Sequence, residues 1–116
     1  MVKDIAFVAY SVNDVPRAVA FYRDVIGLKP SETSFGDGWV EFDVGQTTFG
    51  IGNGNSIGIV PGTQFSAAFE VDDVAAMRDS LVKQGVEASE VMESPVCFTT
   101  FVTDPDGNRF ALHQRK

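Results

Sequence analysis

A chain of 116 residues with 44% hydrophobic content can bury one core, and its single cysteine, Cys97, excludes an intrachain disulfide scaffold. The net charge of −7 argues against binding to phosphate backbones, so we expect no nucleic-acid partner. No apolar run approaches the roughly 18 residues of a membrane span, so the sequence predicts a cytoplasmic protein without membrane contact.

The first half of the chain begins with a strand and a helix. Residues Ile5 to Val12 are rich in aliphatic and aromatic side chains, which predicts a strand. Asn13 or Asp14 can cap the following helix, with Pro16 in its first turn and Gly27 as its stop. Apolar residues at steps of three and four predict one buried helix face: Val15, Ala18, Val19, Tyr22, Val25 and Ile26.

A hairpin completes the first half. Trp39 to Val44 alternates as a strand, Gly45-Gln46 is a tight turn, and Thr47 to Ile51 returns as the partner strand. The run Gly52 to Asn55 breaks the pattern, and Pro61-Gly62 adds a second turn signal. We therefore expect two modules, at about residues 1–54 and about 63–116, within a single domain of 116 residues.

The second half repeats the same order of elements. Phe65 to Val71 predicts a strand, and Asp72 or Asp73 can cap a helix that Gly85 ends. The buried face of that helix is predicted to contain Val74, Met77, Leu81 and Val82. Three predicted strands follow, at Val91-Met92, Phe98 to Thr103 and Arg109 to Gln114, with the turn Asp104 to Asn108 between the last two.

The two halves align as an internal repeat. Superposing Asp14 on Asp73 also places Tyr10 on Phe69 and Phe7 on Ser66. Such a repeat indicates two copies of one small unit, neither of which can bury its own core. The sequence therefore predicts an α+β fold made of two βαβββ modules.

Three strings of this sequence resemble the vicinal oxygen chelate superfamily, which includes glyoxalases, bleomycin resistance proteins and extradiol dioxygenases. They are Val12-Asn13-Asp14, Ala20 to Leu28 (AFYRDVIGL) and Asp104 to Phe110 (DPDGNRF). The resemblance extends from about residue 4 to residue 114. It implies that the mixed sheets of the two modules curl around one cleft, and that two subunits form a homodimer that completes the pocket.

The resemblance also implies where a metal would bind. Metal-dependent members use His and Glu side chains on the first and last strands of each module. The corresponding positions here are Phe7, Gly50, Ser66 and Ala111, which are poor or impossible ligands. We therefore expect no metal and no cofactor at this site.

Other residues should line the same cleft, because side chains two apart on a strand share a face. From the four positions above, this rule adds Ser11, Glu70, Arg109 and His113. Small residues at the positions of the metal ligands would enlarge the cavity, which suits a bulky organic ligand. The alternative is that Gly50 and Ala111 are ordinary strand residues of a closed core.

Four side chains of this sequence have both a functional and a structural interpretation. His113 could act as a general base with Glu70 across the cleft, or be a solvated residue near the C-terminus. Arg109 could bind a carboxylate or phosphate, or lie on the surface. Trp39 could stack on a planar ligand, or pack in a core or dimer interface. Cys97, between Val96 and Phe98, could be a reactive thiol or a small buried hydrophobe, of which we adopt the second, and no Cys/His pair is predicted.

Two functions follow from this pattern. The first is a non-catalytic binding protein, similar to bleomycin resistance proteins, that holds an aromatic or amphipathic and possibly antibiotic-like molecule in a metal-free cleft. The second is a lyase or isomerase of the same superfamily that uses Glu70, His113 or an atypical metal site. No catalytic residue can be assigned from the sequence, and a purely protein-binding module is a third option.

Overall fold

The computed structural model describes residues 6–32, 38–54, 60–63 and 65–116, without the side chains of Phe65 and Ser66. The chain divides into two compact units, Met1–Gln64 and Phe65–Lys116. Each unit contains one mixed sheet of four strands, and neither sheet closes on itself. Within the described ranges, no helix is both long and apolar enough to cross a membrane.

In the described part of unit 1, four strands and one helical stretch follow the order predicted for a βαβββ module. Its strands are β1 (Phe7–Val12), β2 (Lys29–Pro30), β3 (Trp39–Val44) and β4 (Thr47–Asn53). The strand order in sheet 1 is β1-β4-β3-β2, with β1 and β4 parallel and the other pairs antiparallel. Between β1 and β2, helix α1 (Val15–Ala20) continues as a π-helical segment, Phe21–Ile26.

Unit 2 repeats this arrangement. Its strands are β5 (Phe65–Glu70), β6 (Met92–Glu93), β7 (Cys97–Thr103) and β8 (Arg109–Arg115), and helix α2 spans Val74–Lys83. The order in sheet 2 is β5-β8-β7-β6, again with one parallel pair, β5 and β8. The prediction of an α+β fold with two βαβββ modules is therefore confirmed.

Equivalent aspartates begin the two helices, as the repeat predicted. Asp14 Oδ1 accepts a hydrogen bond from the Arg17 N–H at 3.1 Å, and Asp73 Oδ1 accepts one from the Ala76 N–H at 3.0 Å. Both caps satisfy a backbone donor that the helix itself leaves free. The same side chain thus sets the junction between strand and helix in each unit.

The predicted helix faces are wrong at several positions. Phe21 is buried but was not predicted, whereas Val19 and Val25 are only half-buried. A π-helical segment has a wider hydrogen-bond spacing than an α-helix, so its sheet-facing residues depart from the 3.6-residue period. In α2, Val82 is 43% exposed, which leaves Val74 and Leu81 as the buried residues.

Candidate functional site

The two faces of sheet 1 differ in character. On one face, the Tyr10, Phe42 and Phe49 rings form an aromatic core with Tyr22 of the π-helical segment. The opposite face we call open face 1. The strand register assigns to it Phe7, Ala9 and Ser11 of β1, Trp39 and Glu41 of β3, and Thr48, Gly50 and Gly52 of β4.

The Trp39 ring lies directly over Gly50 on open face 1. A methyl group at Gly50 would come within 2.5 Å of Trp39 Cη2 and 3.3 Å of Trp39 Cε2. Only glycine therefore permits this close approach of an indole ring to the backbone. The Phe7 ring meets the Trp39 ring edge to face, with 5.5 Å between centroids, and Phe7 remains 52% exposed.

These contacts bring three predicted site residues together: Phe7, Trp39 and Gly50. Trp39 is neither fully buried nor fully exposed, so part of the indole remains accessible beside Phe7. Ser11, the fourth predicted site residue in unit 1, lies on β1 with Phe7 and is completely buried. Phe7 and Trp39 thus form an aromatic surface above the small residue Gly50. An aromatic ring of a ligand could stack on this surface.

Sheet 2 has a corresponding face, which we call open face 2. One row across its strands pairs Glu70 with His113 and His113 with Thr99. The next row pairs Ala68 with Ala111 and Ala111 with Phe101. On the other face, the Phe69 and Phe110 rings pack with 5.3 Å between their centroids. Glu70, Ala111 and His113 are thus neighbours on sheet 2, where Glu70 and His113 lie on adjacent strands and not across a cleft from each other.

The predicted alternation fails at the start of β5. Phe65 pairs with Arg109, but the next pair is Ala68 with Ala111, so β5 has one extra residue between the two rows. Such a bulge shifts the face on which the following side chains lie. The two-residue rule that led from Ser66 to Glu70 therefore crosses a bulge, and its use there stays a prediction. The Ser66 side chain itself is outside the described part of the structure.

Glu70 and His113 form a close pair between neighbouring strands. Glu70 Oε1 lies 2.6 Å from His113 Nδ1, and Glu70 Oε2 accepts a hydrogen bond from the Arg115 N–H at 2.7 Å. The hydrogen bond with His113 and then that from Arg115 lower the pKa of Glu70, and the bond with Glu70 raises the pKa of His113. His113 is therefore not simply a solvated residue near the C-terminus.

Cys97 also belongs to this region, contrary to its interpretation as a buried hydrophobe. It is half-buried, and its Sγ lies 3.2 Å from Ser94 Oγ and 3.6 Å from Thr99 Oγ1. Hydrogen bonds from Ser94 and Thr99, and more weakly from His113, lower the pKa of Cys97. The sequence contained only an indirect signal for this, since Thr99 and His113 lie on adjacent predicted strands and Cys97 directly precedes the first of them.

Arg109 occupies the other end of open face 2. Its guanidinium carbon lies 5.4 Å from the centroid of the Phe101 ring, a geometry typical of a cation–π contact. Arg109 is exposed, so its polar edge is accessible to solvent. It can therefore offer hydrogen-bond donors to an anionic group of a ligand.

The opposite side of unit 2 contains a separate cavity. Its volume is about 190 Å³, and it is lined by Asp73, Ala75, Val91, Phe98 and Gln114. None of the predicted site residues contributes to it. Ligand pockets usually enclose about 300–1,000 Å³, so this cavity is too small for a bulky organic molecule.

We expect the contact between Glu70 and His113 to change the pH range in which His113 loses its proton. Folding raises the pKa of His113 above its ordinary value of 6.5. The protonated imidazole therefore stabilises the folded state fully below pH 6.5, and this stabilisation is lost as the pH rises through the raised pKa. Because folding lowers the pKa of Glu70 below 4.5, its contribution is lost only as the pH falls through that lower value. Proton NMR of this single histidine should therefore show a raised pKa.

The control for this titration is Glu70→Gln, which keeps the size of the side chain and removes its charge. In this variant the pKa of His113 should fall toward its ordinary value, whereas Glu87→Gln on the exposed surface should leave it unchanged. An unaltered His113 titration in Glu70→Gln would contradict the assigned contact.

A comparison with protein families decides the relationship of this chain to known proteins. The family model for the glyoxalase/bleomycin resistance protein/dioxygenase superfamily matches residues 4–112. The chain belongs to this superfamily. The resemblance inferred from the sequence is therefore confirmed, and the superfamily fold accounts for the two equivalent units.

Solved structures of the superfamily have the same fold. TnmS3, an antibiotic binding protein from Streptomyces sp. CB03234, is 22% identical, with 99% of this chain and 98% of that chain covered and a TM-score of 0.85. A lactoylglutathione lyase from Agrobacterium tumefaciens is 20% identical, with 98% and 95% covered and a TM-score of 0.79. At these identities the likeness shows the fold alone. No curated protein gives a significant match to this sequence.

The metal site that the superfamily resemblance implies does not fit the residues of this chain. Phe7, Gly50 and Ala111 have no side-chain donor atom, and the fourth position, Ser66, offers only a hydroxyl group. Divalent metals in proteins are held by imidazole, thiolate and carboxylate groups. Within the described ranges, no group of three or more such side chains could hold a metal ion.

Proposed function

We propose that this protein binds a small aromatic or amphipathic organic molecule, without a metal, and that open face 1 provides the stacking surface. The observation that carries the proposal is the Trp39 ring over Gly50 with the exposed Phe7 ring at its edge. Tryptophan and phenylalanine offer large apolar contact areas at a low cost in conformational entropy.

The donor chemistry at the implied metal positions supports the same proposal. Phe7 and Gly50 occupy the two positions in unit 1, and both are parts of the aromatic surface. In unit 2, Ala111 is small and lies between Ala68 and Phe101 across the sheet. Apolar and small residues at these positions favour area-driven binding of an organic molecule over coordination of its oxygen atoms.

Open face 2 of unit 2 has polar groups that can form hydrogen bonds with a ligand on that unit. Arg109 offers guanidinium donors, and the Glu70–His113 pair offers a charged or hydrogen-bonding edge. The net charge of −7 favours a cationic over an anionic ligand at equal contact area. We therefore propose that Ser66, Glu70, Arg109, Ala111 and His113 contribute to ligand recognition on unit 2.

We further propose that the protein acts as a homodimer in the cytoplasm and that sequestration of an antibiotic-like compound is its biological role. The superfamily resemblance supports the dimer, and the antibiotic-binding neighbour with this fold supports the class of ligand. Sedimentation equilibrium tests the first point, and protection of cells against planar aromatic antibiotics tests the second.

A fluorescence titration tests the binding proposal, because Trp39 is the only tryptophan. Titration with proflavine, a planar cation, and with anilinonaphthalene sulfonate, an amphipathic anion, should quench or shift Trp39 emission in a saturable manner. At low salt we expect proflavine to bind more tightly than anilinonaphthalene sulfonate. The difference between their two dissociation constants should decrease as salt is added. Absence of saturable binding by either probe and by a wider panel of planar compounds would refute the proposal.

The Glu70–His113 pair favours a second candidate function, a lyase or isomerase that moves a proton of its substrate. A histidine whose Nδ1 is held by a carboxylate can act as a general base through Nε2. Turnover that Glu70→Gln and His113→Gln both reduce would support this candidate. Turnover that is unchanged in both variants would exclude these two residues from catalysis.

A further inference from the structure

We propose that Cys97, His113 and Glu70 form a nucleophilic thiol site that captures soft electrophiles of the α,β-unsaturated carbonyl class. The inference goes beyond the proposed binding function, since it concerns a covalent reaction on unit 2. It does not depend on ligand stacking at Trp39, so either proposal can fail without the other.

The register of sheet 2 brings these three side chains to one face. Glu70 pairs with His113, and His113 pairs with Thr99 on β7. Cys97, two residues before Thr99, is therefore the diagonal neighbour of His113 on the same face. Diagonal neighbours in antiparallel strands lie about 7–8 Å apart, and the aromatic His113 side chain, not the short Cys97 side chain, can span most of this distance.

Glu70 and His113 make the contact that orients a general base, and Cys97 lies diagonally opposite His113 on the same face. Glu70 Oε1 lies 2.6 Å from His113 Nδ1, so the carboxylate fixes the imidazole tautomer that carries its proton on Nδ1. This leaves Nε2 as the nitrogen that can accept a proton from a thiol. An acid that orients a histidine beside a cysteine is the general arrangement of thiol nucleophiles.

Two hydroxyl groups lie beside the sulfur and can donate hydrogen bonds to its thiolate form. Cys97 Sγ lies 3.2 Å from Ser94 Oγ, and Ser94 Oγ also accepts a hydrogen bond from the Cys97 N–H at 3.1 Å. Thr99 Oγ1 is 3.6 Å from the same sulfur. Hydrogen bonds donated to the sulfur favour its charged form, and the pKa of Cys97 is lowered accordingly, with Ser94 as the largest cause.

The charged groups around the thiol are few in the described part of unit 2. On open face 2 they are Glu70 of β5 and His113 and Arg115 of β8, with Arg109 at the distant end. Lys116 and Glu93 are paired with each other at 2.6 Å, and Lys116 lies over the Phe98 ring rather than beside the sulfur.

The reaction we propose is a conjugate addition. Cys97 loses its proton to His113 Nε2, and the thiolate forms a carbon–sulfur bond at the β-carbon of the electrophile. The π pair of the carbon–carbon double bond shifts to form the enolate double bond between the α-carbon and the carbonyl carbon, and the carbonyl π pair moves onto oxygen. The imidazolium then gives its proton to the α-carbon, which restores the carbonyl group. Atoms and electrons balance without another reactant, and the product is a thioether on Cys97.

Arg115 favours a carbonyl-activated electrophile over other soft electrophiles. It pairs directly with Cys97 in the register of β7 and β8, so both side chains lie on open face 2. Its side chain is 78% exposed and can turn from Glu70, 3.8 Å away, toward a ligand oxygen. A guanidinium donor beside the nucleophile would stabilise the negative charge that develops on that oxygen.

The test measures alkylation of the purified protein by N-ethylmaleimide. Cys97 is the only cysteine, so intact mass reports this site alone. At pH 7 we expect a rate about fivefold above that of N-acetylcysteine, since the gain in thiolate fraction outweighs the loss of intrinsic nucleophilicity at a lower pKa. The pH midpoint of alkylation should also lie below that of N-acetylcysteine.

Variants distinguish this site from an ordinary accessible thiol. Glu70→Gln and His113→Gln should each raise the pH midpoint and reduce the rate at pH 7, whereas Glu87→Gln should change neither. If these variants do not fold, Thr99→Val tests the same point. It removes a hydroxyl group beside the sulfur and should also raise the pH midpoint of alkylation. An unmodified Cys97, or pH midpoints that Glu70→Gln, His113→Gln and Thr99→Val all leave unchanged, would overturn the proposal.

Discussion

Replacement of Gly50 with alanine is expected to displace the Trp39 ring from open face 1. The new methyl group would come within 2.5 Å of Trp39 Cη2, so the indole must move or the strands must separate. Overpacking of this kind costs about 1–3 kcal/mol of stability. Urea unfolding should show this loss, and the emission maximum of Trp39 should shift to longer wavelength as the ring becomes more solvated.

A double-mutant cycle provides the control for this prediction. In a Trp39→Ala background the methyl group no longer meets the indole, so the cost of Gly50→Ala should fall below about 0.5 kcal/mol. An equal cost in both backgrounds would mean that the clash involves the backbone of sheet 1 and not Trp39. That result would contradict the described packing.

Replacement of Trp39 with alanine is expected to cause the largest loss of ligand affinity. Aromatic anchors at the centre of binding sites contribute about 2 kcal/mol or more, which corresponds to a roughly 30-fold weaker dissociation constant. Calorimetric titration with proflavine should show this loss. Trp39→Phe should lose less, because a smaller ring retains part of the stacking area.

The matched control for Trp39→Ala is Phe98→Ala. Phe98 is a half-buried aromatic residue that lines the small cavity on the opposite side of sheet 2. Its removal should leave the affinity for proflavine unchanged in the folded protein. If Phe98→Ala weakens binding as much as Trp39→Ala does, the ligand binds at that cavity and open face 1 is not the site.

Local signals in the sequence were sufficient for most of the fold. Strand alternation, the two N-cap aspartates and the glycine after the first helix each act within a few residues, and all of them lie where predicted. Gly27 indeed adopts a left-handed conformation, with φ of 91°. The repeat then extended these local signals to the pairing of strands in both sheets.

Features that depend on contacts between distant residues were not predictable in the same way. The bulge in β5 arises from its pairing with β8, and the π-helical segment departs from the period used to assign buried residues. Gly50 was identified as a site position, but its role beneath Trp39 depends on the register of β3 and β4.

The cluster at Cys97 shows the same limitation for the chemistry of the site. The sequence predicted Glu70 across the cleft from His113, and it did not join Cys97 to either residue. The pairing of β7 with β8 brings Cys97 diagonally opposite His113, and the turn before β7 brings Ser94 to the sulfur. Only the register of the strands makes this neighbourhood visible.

The most direct test of metal-free ligand binding is calorimetric titration of proflavine into protein treated with a chelator, with elemental analysis of the same sample. We predict saturable binding without bound metal, and an unchanged dissociation constant after addition of zinc or nickel. Binding that appears only after metal is restored, or a stoichiometric metal that survives the chelator, would contradict the account and favour a metal-dependent enzyme.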